Sequence, residues 1–324
     1  SEDLASVEFN DEDGSNNNEG VCSSTLSGPC APIAVVGHTC VVVQKGQKQI
    51  MLVIFGHSEK YGYLSTVQEY EFETSSWTTA LSRGAVVNGV YGHTAVWDPS
   101  TSLVYIHGGL KSEGSNNHVI PHLITYNPNT HIWSLRRPAP VPRFLHSSVL
   151  VGGLMLVFGG NTHNDTAYSY GAKCYSADFI AYDITCDRWY SLSALPRLFL
   201  DVARYGHSAT VSQDSMYVIG GFNGKMLGSV LKYTLGECKS QSSKECLGSY
   251  PGRKCVWNRI LQRCEAWSNN DKTPYDECDL MTDKTNLTAL CEQQSSCQSC
   301  VHNTYQCFWC GQECSHNKCS DNTK

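Results

Sequence analysis

Residues 155–166 read MLVFGGNTHNDT, and His163 and Asp165 within them are the residue types of a general base and its carboxylate. Such a pair works only when a nucleophile or metal is set against it and a third group orients the base. Nothing nearby in the sequence supplies either. The pair follows Gly159-Gly160 in a segment that also holds the sequon Asn164-Asp165-Thr166. The expected reading is a surface loop glycosylated at Asn164, with a second glycan at Asn286. Four further histidines, His38, His93, His146 and His207, recur along the chain and could in principle gather a metal. A repeating structure would aim successive copies at different places, so each is expected to bond backbone at the start of a strand. Cys297-x2-Cys300 and Cys307-x2-Cys310 have zinc-ligand spacing. The stretch DEDGSNNNE (11–19) offers calcium-type oxygens, but Asn16 stands where an EF-hand needs glycine, which favours a linker. Walker, GxGxxG, HExxH and GxSxG patterns are absent. Neither a catalytic residue nor a cofactor or resident metal is expected.

The elements that would carry these residues are bounded first by composition. The chain has 324 residues, 41% hydrophobic and 17% charged, with a net charge of −6. Residues 1–19 carry seven acids and no Lys or Arg, so the remainder is near neutral. Without a basic stripe, nucleic acid is excluded as an expected partner. Five of the 17 cysteines (Cys22, Cys30, Cys40, Cys174, Cys186) precede residue 238, and twelve lie between Cys238 and Cys319. That density means disulfides in an oxidising compartment or zinc. Zinc would leave Cys291, Cys314 and Cys319 over, and the two sequons favour the extracellular reading. No stretch approaches membrane-spanning length, and the start lacks Met and an apolar leader. The sequence therefore reads as a piece of a longer ectodomain, cell-surface or secreted, with membrane contact expected only through flanking segments.

Aligned on glycine, Phe55-Gly56-His57, His107-Gly108-Gly109, Phe158-Gly159-Gly160 and Ile219-Gly220-Gly221 each close a short apolar run (MLVIF, LVYI, LMLVF, MYVI). The four histidines lie upstream and Tyr70, Tyr126, Tyr182 and Tyr233 downstream. Three of these tyrosines are followed seven residues later by Trp77, Trp133 and Trp189. Self-similarity at about 50–60 residues signals propeller blades. In each blade, strand a follows the histidine, b precedes the glycines, c holds the tyrosine and d the tryptophan. Glycine after a buried strand permits a close approach that a Cβ would block, and Tyr and Trp fill the wedge between blades.

The pattern resembles the kelch repeat, with two departures: His57 in place of a second glycine, and no tryptophan in the last blade. The resemblance implies an all-β propeller over 31–237, with these four blades belonging to a ring of six or seven. Segment 1–30 is set apart as acidic, although residues 4–9 (LASVEF) could add a stray strand. From Cys291 the spacing C-x5-C-x2-C-x6-C-x2-C-x3-C-x4-C, with CFWC at its centre, resembles the PSI module of plexins, semaphorins and integrins. It places such a module at 287–324 and implies the pairs Cys291–Cys307, Cys300–Cys314 and Cys310–Cys319. Cys297 is left for an eighth cysteine beyond Lys324. Residues 238–280 resemble a looser PSI-like unit whose pairing stays open. Cys174 and Cys186, at opposite ends of one strand, are expected roughly 25 Å apart where a disulfide needs about 5.5 Å, so each pairs elsewhere or stays free unless the loop before the strand folds back. Cys40 reads as a buried thiol in strand a.

Kelch blades running into PSI modules, with FGGNTHNDT, GAKC and the run Asp178 to Trp189, resemble the attractin family from about Val35 to Cys319. Segment 1–30, with Cys22 and Cys30, does not match it well. The family implies a glycoprotein engaged in cell interaction and in accessory roles in melanocortin-type signalling. The expected function is non-enzymatic: loops presented to an extracellular or cell-surface protein. The candidate loops are 58–66, 111–121, 161–177, 78–90, 134–144 and 190–205. Arg137, Arg143, Arg204, Tyr168, Tyr170 and Phe199 are the candidate hot spots, since arginine and large aromatics dominate interfaces. The alternatives are a kelch-scaffold enzyme of the copper radical oxidase type, whose ligand set matches no local motif here, and a glycan-binding propeller.

Overall fold

The computed structural model describes residues 31–113, 116–162, 175–192, 202–249, 251–268, 275–276, 278, 287–294, 297–301, 307–317 and 319. Asn164, Asn286, Tyr168, Tyr170, Phe199, His163, Asp165, Cys22, Cys30, Cys174 and segments 4–9 and 11–19 lie outside them.

Four antiparallel blades follow one another. Blade 1 orders Thr39–Lys45, Lys48–Ile54, Val67–Glu71 and Ser76–Thr79 as a-b-c-d. Blade 2 repeats this with Thr94–Asp98, Leu103–His107, Leu123–Asn127 and Ile132–Arg136, and adds Arg83–Gly84 parallel to its outer edge. Blade 3 is Ser147–Val151, Leu154–Phe158, Phe179–Asp183 and Arg188–Ser191. Blade 4 has three strands, Ser208–Ser212, Ser215–Ile219 and Val230–Thr234. The a strands of successive blades are neighbours and form the inner layer.

The seven-residue Tyr–Trp spacing has a simple cause. A four-residue turn between c and d sets Tyr70 opposite Trp77, Tyr126 opposite Trp133 and Tyr182 opposite Trp189. Their ring centroids are 5.0, 4.6 and 5.2 Å apart. The turns close on a side-chain acceptor. Asn127 Oδ1 takes the N–H groups of Asn129 and Thr130, and Asp183 Oδ1 those of Thr185 and Cys186. One apolar cluster fills each gap between blades: Leu52, Ile106 and Trp133 in the first, Tyr105, Val157 and Tyr182 in the second, Leu156, Phe179 and Met216 in the third. Each such fully buried side chain is worth about 1.5–3 kcal/mol.

The glycine pairs correct the sequence alignment of blade 1. The first glycine of each pair has φ near +68° (Gly108, Gly159, Gly220) and the second near +100° (Gly109, Gly160, Gly221). In blade 1 these conformations belong to Phe55 (φ 56°) and Gly56 (φ 105°). Phe55 thus replaces the first glycine, and His57 lies one residue beyond the pair. A Cβ on Gly159 would stand 2.6 Å from the Arg204 carbonyl oxygen and 2.9 Å from His207 Cε1 of the next blade. At Gly220 a Cβ meets only the Leu227 carbonyl, at 3.4 Å. Gly220→Ala should therefore cost only the left-handed strain, about 1–2 kcal/mol. Gly159→Ala should add overpacking of about 1–3 kcal/mol. Urea unfolding of the two variants checks this, and equal losses would refute the close-approach account.

Two disulfide-rich units follow the blades, consistent with PSI-like modules. The first holds the helix Ser243–Leu247, N-capped by Ser242, and the hairpin Cys255–Asn258 with Arg263–Ala266, closed by Cys238–Cys255 and Cys246–Cys264. Cys186 in the c–d turn of blade 3 bonds Cys278, tying this unit to the propeller. The second unit has helices Leu287–Glu292 and Cys297–Val301 and the hairpin Phe308–Cys310 with Glu313–Ser315. Its bridges are Cys291–Cys307, Cys300–Cys314 and Cys310–Cys319, and Cys297 is a free, exposed thiol. Cys40 is likewise free and exposed, not buried as its strand position suggested. Val41 and Val43 of the same strand turn into the first core cluster, so Cys40 and Val42 face away from it.

Candidate interaction face

Each blade begins with histidine followed by a hydroxyl residue: His38-Thr39, His93-Thr94, His146-Ser147 and His207-Ser208. The structure links these pairs across the blade gaps. The hydroxyl oxygens of Thr39, Thr94 and Ser147 lie 2.9 Å from Nε2 of His93, His146 and His207 respectively. His107 adds a second imidazole, its Nδ1 2.9 Å from His146 Nε2. A backbone belt runs beside them: Gly206 N–H donates to Leu145 O, Leu145 N–H to Gly92 O, and Gly92 N–H to Gly37 O. Backbone bonding of the kind expected from the sequence accompanies these contacts: His38 Nδ1 lies 3.1 Å from Val35 O, His93 meets the backbone of Val90 and Ile54, and His207 that of Phe158. Burial depresses the proton affinity of all the enclosed rings, to about 3 for His93 and His107 and about 4 for His207, and well below the usual range for His146. These neutral histidines rivet blade to blade.

The glycine pairs also build a face. The residue two before each histidine pairs with the residue just after the glycines: Val36 with His57, Tyr91 with Leu110, Phe144 with Asn161 and Tyr205 with Phe222. Asn161 pairs in turn with Tyr175. This construction lays aromatic rings side by side over all four blades. His57–Tyr63, Tyr63–Tyr91 and Tyr91–Phe144 centroids are 4.9, 6.3 and 6.1 Å apart. Beyond Asn161 the series resumes with Tyr175–Tyr205 at 5.4 Å and Tyr205–Phe222 at 5.6 Å. Phe222 pairs with Met226, whose side chain is 84% exposed. Phe144 is buried, while the other rings of this crescent are half-exposed. Burial and the neighbouring phenols of Tyr63 and Tyr175 raise the pKa of Tyr91 and Tyr205, which keeps both protonated as donors.

The residues singled out from sequence fare differently. Arg143 and Arg204 are not surface contacts, since both are 0% exposed. Arg143 Nη1 donates to Gly159 O at 2.8 Å and pairs with Asp178. Arg204 Nη1 donates to Gly220 O at 2.9 Å, Nη2 to Ser229 Oγ and Nε to Val202 O. Each guanidinium satisfies the carbonyl that a first glycine turns inward, so these arginines hold the loop that leaves the pair. Arg137 is partly buried against blade 3: its N–H donates to Asp187 Oδ1 and its carbonyl accepts the Trp189 indole N–H. Tyr63, Tyr91, Phe144, Tyr175, Tyr205 and Phe222 were missed. The available signal was the aromatic in VYGH (90–93), RFLH (143–146) and RYGH (204–207).

The sulphurs of Cys291, Cys307 and Cys314 lie within 4.8 Å of one another, but all are in bridges, whereas zinc requires thiolates. A cavity of about 210 Å³ between blades 1 and 2 is lined by Phe55, Ile106, Ile120 and Leu135, with His122 and Arg136 as its ionisable groups and Leu290 at one wall. A histidine without a nucleophile or an orienting partner in that lining does not make a catalytic constellation.

A family model described as "Attractin/LZTR1 beta-propeller" matches residues 9–231. The chain is 32% identical over 310 residues to "Putative protein tag-53" of Caenorhabditis elegans, which covers 89% of this chain and 22% of that protein. It is 30% identical over 234 residues to the Mus musculus "Multiple epidermal growth factor-like domains protein 8", covering 69% of this chain and 8% of the relative. "Kelch domain-containing protein 3" of Homo sapiens is 24% identical over 201 residues, 61% of this chain and 50% of its own length. The chain thus spans a minor part of the first two and half of the third.

Proposed function

Because this chain belongs to the attractin/LZTR1 β-propeller family, we propose that it is a non-enzymatic, extracellular protein-interaction region whose loop face grips a cell-surface partner. The aromatic crescent carries this reading. Tyrosines are enriched among the anchors of protein interfaces, and here two runs of rings, interrupted at Asn161, extend over the four blades. Six described disulfides support an oxidising compartment, as does a relative named for epidermal growth factor-like domains. An accessory role in receptor signalling, of the melanocortin type implied by the attractin resemblance, is the narrower form of the proposal.

Fluorescent tetramers of the chain applied to intact cells test it. Saturable binding is expected to fall at least tenfold with Tyr91→Ala or Tyr205→Ala. It is expected to be unchanged by Ile260→Ser, at the exposed tip of the first unit's hairpin. Equal binding by all these variants would remove the crescent from the interface, and no binding to any cell type would overturn the function itself.

A further inference from the structure

We propose that Cys186–Cys278 is a thiol–disulfide exchange site: a clamp between propeller and cysteine-rich unit that a dithiol reductant opens, with Cys186 as the leaving sulphur beside Lys254. Among the described bridges it is the one that joins a blade to a following unit. The other five close separations of 9–18 residues within a unit. Its sulphur also has a cation beside it. Lys254 Nζ lies 3.6 Å from Cys186 Sγ and 3.1 Å from Asp183 Oδ1, and the lysine side chain is 2% exposed, so the ammonium cannot turn away into water. A neighbouring ammonium stabilises a thiolate, and the sulphur with the more stable thiolate leaves faster. In the other bridges, backbone carbonyl oxygens lie 3.3–3.9 Å from the sulphurs of Cys238, Cys246, Cys255, Cys310 and Cys319, and their negative ends oppose a thiolate.

Access separates the bridges further. Cys246, Cys255, Cys291 and Cys300 are buried, which shields four of them, whereas Cys186 and Cys278 are both half-buried. Cys310–Cys319 is comparably open but lies inside one unit. In the exchange, one thiolate of the dithiol attacks Cys278 Sγ. The new S–S bond forms as the Cys186–Cys278 bond breaks, and the electron pair leaves on Cys186 as a thiolate beside the Lys254 ammonium. The reductant's second thiol, after losing its proton to water, attacks its own sulphur in the mixed disulfide. Cys278 is released and takes a proton, and the dithiol ends as a disulfide. Opening removes a closure of 92 residues and leaves the seat on blade 3 to noncovalent contacts, such as Lys254–Asp183 and the bond from Lys254 N–H to Gly152 O. Cys186 sits at the end of blade 3 opposite its glycine pair, so the loop face is not part of the exchange.

The test treats the folded chain with dilute dithiothreitol for graded times, quenches with N-ethylmaleimide and reads each cysteine by peptide mass spectrometry. Cys186 and Cys278 are expected to be labelled at least tenfold faster than Cys310 and Cys319. Lys254→Met combined with Asp183→Asn removes the cation without stranding a charge, and labelling of Cys186 and Cys278 should then slow at least threefold. A seam that had merely loosened would be labelled faster, so the direction separates lost charge from lost fold. In the selectively reduced wild-type chain, hydrogen exchange at the Lys254 amide should speed up at least tenfold. Earlier labelling of Cys310 and Cys319, a double variant labelled no more slowly than wild type, or amide exchange unchanged by reduction would each overturn the proposal.

Discussion

Lowering the pH from 7.5 to 5 is expected to remove about 6 kcal/mol of unfolding free energy through His93, His107 and His207. The unfolded chain holds its histidines near pKa 6.5, whereas in the folded protein these rings protonate only near 3 to 4. The unfolded state therefore binds protons more readily below neutrality. Stability is complete above about pH 7, falls as pH drops through 6.5, and stops falling only once the folded-state values are passed. At pH 5 the loss is about 2 kcal/mol per ring. Against a typical total of about 5–15 kcal/mol, that is a large fraction of the fold.

The cause is enclosure. Each ring sits in a gap between blades where water cannot solvate an imidazolium, with a hydroxyl of the preceding blade as its neighbour for three of the four. Arg143 beside His107 and His146, and Arg204 beside His207, add like-charge repulsion. Urea titrations at pH 7.5 and 5 measure the loss. His107→Ile supplies the control, because isoleucine fills the equivalent position in blades 1 and 4 as Ile54 and Ile219. This variant should fold at neutral pH and show a shallower acid dependence, by about 2 kcal/mol. Equal unfolding free energies at the two pH values would mean that the seams admit water and that the histidines are not sealed between blades.

How far the sequence discloses this architecture depends on the reach of each signal. Features written within one blade are legible: the apolar run into glycine, the Tyr–Trp pair across a four-residue turn, the histidine that opens strand a. Features that depend on the next blade are not. The Phe55-Gly56 pair was misaligned by one residue because a left-handed φ is read from glycine, and Phe55 holds that φ without being one. Arg143 and Arg204 looked like surface residues of a connection. Their acceptors, Gly159 and Gly220, lie sixteen residues away and turn their carbonyls inward only because of the glycine conformation. Cys40 failed for another reason. Cys40, Val41, Val42 and Val43 are all apolar, so hydropathy cannot tell which alternate pair faces the core. The crescent is assembled from residues of four blades and becomes visible only when the bridges place them together.

Replacing Lys254 by Met is expected to cost about 3–5 kcal/mol, because it leaves the carboxylate of Asp183 enclosed without its cation. The pair sits where the first disulfide-rich unit meets blade 3. Lys254 Nζ lies 3.1 Å from Asp183 Oδ1, and both side chains are almost fully buried. Backbone bonds flank it: Lys254 N–H donates to Gly152 O at 2.8 Å and Gly236 N–H to Pro251 O at 2.7 Å. The same carboxylate closes the c–d turn that carries Cys186, and Cys186–Cys278 spans 92 residues of sequence. In the chain-entropy account a bridge of that length is worth about 4–5 kcal/mol. Changing both residues together, Lys254→Met with Asp183→Asn, should return more than half of the loss, since the cost of the single change is the stranded charge and not a missing attraction. If the single variant unfolds with the wild-type free energy, the carboxylate must reach water and the unit is not seated on the propeller. If the double variant is no better than the single one, packing at the seam and not charge holds it. A coupled result makes propeller and cysteine-rich unit one cooperative body, so that whatever the loop face grips is held at a fixed angle to the chain that follows.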